Sequence, residues 1–225
     1  MKKLLVTTLL AGTLAFAVPT LGFAEETAAP ATEAAPATEA APPATEAAPA
    51  GPSAEEMAKM MAMMQPGEMH KKLETLVGSW TYTSTMQMTA DAPVEQSSGT
   101  SENTMVFGGR FLKMAVKGTM KMNGQDVPFD GEALTGYDNI AQQFQNVWYD
   151  SFATSMMTGT GTFDEATQTI KEEATASCPM TGGKRSFRNE TKFIDADHFS
   201  YTMHSADPKT GAEYKMMEIQ YSRVK

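Results

Sequence analysis

The chain has 225 residues, a formal net charge of −9, one cysteine and three histidines. Residues 66–225 carry 20 acidic and 15 basic side chains, and no stretch forms the basic stripe that neutralises phosphates, which argues against nucleic acid as a partner. A single cysteine, Cys178, rules out an intrachain disulfide framework and reads as a small hydrophobe or a loop thiol.

Residues 1–24 read as a secretory leader. Lys2 and Lys3 precede the apolar run Leu4–Val18, which is shorter than the roughly 20 residues needed to span a bilayer. Gly22 and Ala24 place small side chains three residues and one residue before a cut at Glu25. The expected mature protein starts near there, is periplasmic or secreted, and has no transmembrane anchor. Residues 25–52 repeat a Thr-Glu-Ala-Ala-Pro-Ala unit, with slips, from Thr27, Thr32, Thr38 and Thr45. Frequent proline removes the amide donors a helix needs, and the scarcity of large apolar side chains leaves nothing to offset ordering entropy. A disordered linker is expected.

Residues 53–65 read as a short Met-rich helix. Ser53 and Glu56 have capping-box spacing, and Met57, Met60, Met61 and Met64 fall on one face. Pro66-Gly67 ends it. A second helix follows, with an apolar stripe of Met69, Leu73, Leu76 and Val77 and a stop at Gly78.

From Gly78 onward the apolar period falls to two. Strands are predicted over 79–88, 96–107, 111–122, 127–137, 144–150, 155–163, 168–176, 183–194, 198–205 and 213–223. The breaks carry turn chemistry, Asn123-Gly124 most clearly. The expected fold class is all-β. About ten short strands joined in sequence predict one up-and-down antiparallel sheet over 66–225, closed into a barrel to remove its edges. A barrel of this size is either filled by side chains or just able to hold a small ligand.

Several motifs add to that reading: His70-Lys71-Lys72-Leu73 with Leu76-Val77-Gly78-Ser79-Trp80; Gly108-Gly109-Arg110-Phe111-Leu112; Phe129-x-Gly131 with Gly136-Tyr137-Asp138-Asn139 and Trp148-Tyr149-Asp150; and the closing Tyr221-Ser222-Arg223. Together they resemble the bacterial family of exported proteins known as domain of unknown function 1579, over about Pro66 to Arg223. That resemblance implies a calycin-like β-barrel and no established activity. The chain also resembles lipocalins, whose barrels open with a short helix and Gly-x-Trp, as Gly78-Ser79-Trp80 does here. The likeness implies that Arg223 packs over Trp80 and seals one end, with His70 anchoring the helix beside it.

No nucleophile elbow, zinc spacing, phosphate-cradling loop or dinucleotide fingerprint occurs. No catalytic residue, metal or cofactor is therefore expected, and the chain reads as a binding protein and not an enzyme. The expected ligand is small and apolar or amphipathic. Phe111, Phe129, Tyr137, Phe144, Trp148 and Tyr201 are the candidate lining residues, and Arg110 is a candidate contact for an anionic group or an ion-pair partner. Glu172-Glu173 and Asp164-Glu165 read as solvated charges, and Asp138 as a turn residue. The alternatives are a filled barrel acting as an interaction protein of the cell envelope with a protein partner, an unrecognised enzyme, or Cu(I) capture through methionine pairs such as Met86-x-Met88. The Met57–Met64 face is expected to lie either against the barrel mouth or on a partner.

Overall fold

The computed structural model describes residues 51–225, except Asn123 and the side chain of Met122. The expected leader and the linker as far as residue 50 lie outside the described residues, as does the first residue of the Asn123-Gly124 turn.

Helix α1 spans Ala54–Met63. The Glu56 amide donates to Ser53 Oγ at 3.3 Å, and the Ser53 amide donates back to Glu56 Oε2 at 2.7 Å. This reciprocal cap is the one the spacing predicts. Met57, Met60, Met61 and Met64 all stay exposed. The tie to the rest of the fold is polar: Asn139 Nδ2 donates to Met63 O at 2.8 Å and Arg110 Nη2 to Met64 O at 3.1 Å. Helix α2 spans Glu68–Glu74 and buries His70 and Leu73.

Ten strands follow: β1 (Gly78–Met86), β2 (Glu95–Val106), β3 (Phe111–Met122), β4 (Gln125–Asp138), β5 (Gln143–Asp150), β6 (Met157–Asp164), β7 (Thr169–Cys178), β8 (Gly183–Phe193), β9 (His198–Ala206) and β10 (Glu213–Arg223). Each pairs antiparallel with the next, and β1 pairs with β10, so the sheet is a closed ten-stranded barrel. The closing register sets Trp80 opposite Arg223 and Tyr82 opposite Tyr221. Closure leaves no unpaired edge. Among the described residues no helix is long and apolar enough to cross a membrane.

The two ends of the barrel differ. At one end α2 and the turn after it lie across the opening. Trp80 is 1% exposed, and its Nε1 donates to Leu76 O at 2.9 Å. The Arg223 guanidinium lies 4.1 Å from the Trp80 ring centroid, close enough for a cation–π contact. It also donates to Thr75 O, Val77 O and Ala196 O at 2.6–2.9 Å. Arg223 thus binds carbonyls that the end of α2 leaves free. Gly78, at φ +124°, turns the chain from helix into strand, and a Cβ there would sit 2.7 Å from Arg223 Nη1. His70 Nδ1 accepts from the Gly67 amide at 3.0 Å. Burial holds the His70 pKa below its ordinary value, against a hydrogen bond with the Tyr137 backbone, and the Arg110 charge adds to the lowering. His70 is therefore a neutral anchor of α2. Among the described residues no helix lies across the opposite end, where β1, β3, β5, β7 and β9 finish.

Candidate functional site

Strand parity decides which side chains face inward. On β1 these are Trp80, Tyr82, Ser84 and Met86; on β3, Leu112, Met114 and Val116; on β5, Phe144, Asn146, Trp148 and Asp150. Inside them lies a cavity of about 350 Å³, within the size range of small-molecule sites. Leu73 and Leu76, with Phe199 and Tyr221, floor it at the closed end. The Phe199 and Tyr221 rings stack at 4.1 Å, and Trp80 meets Phe199 edge-on at 4.7 Å.

Methionine dominates the upper wall. Met86, Met217 and Met203 adjoin one another across β1, β10 and β9, and Met114, Met120, Met157 and Met216 complete the set. Flexible thioether side chains adapt to irregular apolar shapes. Met86 and Met88, proposed from their spacing as one pair, part company: Met86 lines the cavity and Met88 is exposed beyond the strand end. Among the described residues no three His, Cys, Asp or Glu side chains are placed to hold a metal ion. The exposed Met57–Met64 face lies at the closed end, tied to Arg110 and Asn139, so it does not cover the mouth.

The seven candidate ligand contacts divide. Phe129, Trp148 and Tyr201 line the cavity. Trp148 stacks beside Phe129 at 6.2 Å, and its Nε1 donates to Asp150 Oδ2 at 2.8 Å. Phe144 and Tyr137 also point inward but below the cavity. Phe144 is fully buried, and Tyr137 is wedged between it and His70. They plug the closed end. Phe111 is a correction: it faces outward, its ring lying over Gly136, because Leu112 takes the inward position. Arg110 is another. Among the described residues it pairs with no carboxylate, and it does not line the cavity, because its guanidinium donates to the backbone carbonyls of Met64 and Phe107.

Other polar candidates fall outside the barrel interior. Asp138 Oδ1 accepts from the Ile140 and Ala141 amides at 2.8 and 3.0 Å, the turn role expected of it. His198 bonds Asp195 on an exposed turn at 2.8 Å. None of the three histidines lines the cavity. Cys178 is buried and unbridged.

Sequence reasoning missed Glu172, a carboxylate that faces the cavity. Glu172 and Glu173 are both read there as solvated. Parity separates them: Glu173 points out, while Glu172 stands in the inward row of Ile170, Glu172 and Ala176. Glu172 Oε1 accepts from Asn189 Nδ2 at 2.8 Å, and Asn189 is 1% exposed. The alternating row of small and apolar side chains into which Glu172 intrudes was the available signal. Burial pushes the Glu172 carboxyl above its ordinary value, against the lowering hydrogen bond from Asn189. Burial, then the nearby Glu172 charge, hold the Tyr201 hydroxyl well above its ordinary value, so it stays protonated.

A prediction about pH follows from Glu172. Its folded-state pKa lies above the unfolded one, so folding favours the protonated acid. The stability it contributes is fully present below the unfolded value of 4.5 and is lost as pH rises through the higher folded value. Relative to wild type, Glu172→Gln is expected to raise Tm at neutral pH and leave it unchanged near pH 4. Asn189 and Tyr201, the groups facing Glu172, remain in place in both proteins. Thermal melts of both across pH 4–8 check this, and parallel curves would refute it.

Likeness to one solved structure supports the fold. The crystal structure of Rv2717c from M. tuberculosis aligns at TM-score 0.54 with 13% identity, covering 72% of this chain and 100% of that one. An S-type phycobiliprotein lyase, CPES, from Guillardia theta aligns at TM-score 0.48 with 11% identity, covering 70% of this chain and 93% of that one. Comparison with curated proteins finds no match. The family described as protein of unknown function (DUF1579) matches residues 65–223, the stretch that builds α2 and all ten strands of this calycin-like barrel, and the chain belongs to that family.

Proposed function

We propose that the chain is an exported binding module that carries a small apolar or amphipathic molecule in its barrel without transforming it. The observation that carries this reading is the cavity of about 350 Å³, floored by α2 at one end and walled by methionine and aromatic side chains. A stable barrel of this size has no structural need for that void, since closely packed interiors are the norm. The apolar leader in residues 1–24 would place the mature chain in the periplasm or outside the cell. The Ala/Pro-rich linker that follows would act as a spacer.

The test uses Trp148, which lies in the cavity wall. N-Phenyl-1-naphthylamine, an uncharged apolar fluorophore, is expected to saturate at one molecule per chain and to quench Trp148 emission. Decanol should displace it, and Trp148→Phe should abolish the quenching while Trp80 emission persists. Absence of saturable binding would overturn the reading.

A second reading is an interaction protein of the cell envelope. What favours it is the row of Met57, Met60, Met61 and Met64 left exposed on one face of α1, a soft apolar surface of the kind that docks partners.

A further inference from the structure

Glu172 is a carboxylate in an apolar cavity, and no cation among the described residues pairs with it. The single basic residue among those lining the cavity is Lys121, at the end of β3, and it is paired with Asp126 at 2.7 Å. What the protein does supply is Asn189, whose amide nitrogen is spent on Glu172 Oε1. That leaves Asn189 Oδ1 buried with no hydrogen-bond partner among the described residues. Such orphaned acceptors are rare in folded proteins and call for a reason. Two acceptors, the remaining Glu172 oxygen and Asn189 Oδ1, thus stand side by side on neighbouring strands, where Glu172 and Asn189 are directly opposed. Gly159 on β6 leaves room for the Glu172 carboxylate to lie against it, since a Cβ there would fall 2.6 Å from Glu172 Oε1.

We propose that the ligand carries a protonated amine, held jointly by the Glu172 carboxylate and the Asn189 carbonyl oxygen, with its apolar body among Met203, Met217 and Trp148. This rests on the binding reading above and gives the ligand its head group. An ammonium supplies the missing positive charge and enough N–H donors for both acceptors. A carboxylate ligand would set two like charges together, and an alcohol would satisfy one acceptor and neutralise nothing.

Calorimetric titration of the full-length chain with decylamine, decanol and decanoate at neutral pH tests this. Chain length is constant, so the head group alone varies. Decylamine is expected to bind on the order of tenfold or more tighter than decanol, with decanoate weakest. Glu172→Gln should bring the ratio between amine and alcohol to about one. Gly159→Ala, which displaces the carboxylate without removing it, should lower the ratio in part; thermal melts confirm that both variants fold. Decanol or decanoate binding as well as decylamine, or an unchanged ratio in Glu172→Gln, overturns the amine assignment and leaves the cavity reading intact. Failure of all three ligands to bind overturns both.

Discussion

Trp80→Ala is expected to cost about 3–5 kcal/mol of folding stability, the range for deleting a fully buried large aromatic side chain. The reason is the number of interactions that converge on one indole. It is 1% exposed. It meets Phe199 edge-on at 4.7 Å, carries the Arg223 guanidinium on its face at 4.1 Å, and ties the turn after α2 through Leu76 O. Truncation leaves a hole at the junction of β1, β10 and α2 that none of the three can fill without breaking backbone pairing. Arg223→Lys is expected to lose less, about 1–3 kcal/mol. An ammonium cannot stack flat on the ring and also donate to Thr75 O, Val77 O and Ala196 O. Urea denaturation checks both, read as a lower midpoint at unchanged slope. A loss below about 1 kcal/mol for Trp80→Ala would show that the closed end does not stabilise the barrel.

The second large effect is expected at Gly99. Gly99 of β2 and Gly118 of β3 face each other across the strand pair, and the Tyr82 hydroxyl from β1 lies against both. A methyl group at residue 99 would press into the Lys117 carbonyl oxygen and lie 2.7 Å from Tyr82 Oη and 2.8 Å from Gly118 Cα. Two of those neighbours are backbone, which cannot yield without opening the β2–β3 ladder. Gly99→Ala is therefore expected to destabilise by about 1–3 kcal/mol or more. Gly118→Ala is different in kind, because its first collision is with the Tyr82 hydroxyl, and Tyr82→Phe should partly rescue it. The same change should not rescue Gly99→Ala. Equal rescue of both by Tyr82→Phe would mean that the phenol, and not the backbone, is the obstacle.

Much of the fold was legible because its signals are local. The Ser53–Glu56 cap needs a spacing of three and no tertiary contact. The ten strands follow from an apolar period of two and from turn residues between runs. Only their ends differ from expectation, as at Gln125, where β4 starts two residues early. Phe111 was misplaced although its strand's period was readable. Lys113, Lys117 and Lys121 share its face while Leu112, Met114 and Val116 make the apolar one, so weighting one aromatic ring over the period exchanged the two faces. Tyr137 and Phe144 fail for another reason. Their inward direction does not reveal their depth, and depth separates a plug from a cavity wall.

What the sequence by itself determined about this protein is the set of strands and their order, since propensity, parity and turn chemistry act over a few residues; the pairing of Trp80 with Arg223 was implied only by the likeness to lipocalins. What only the tertiary structure decided is the height of each side chain along the barrel axis and the presence of unfilled space between them. Glu172 shows the difference. Its parity can be read from Ile170 and Ala174 on either side. That it is a shielded carboxylate depends on Asn189 and Tyr201, which close over it only when the sheet curls and distant strands meet. Burial is a property of that closure, because solvent is excluded by residues far away in the chain.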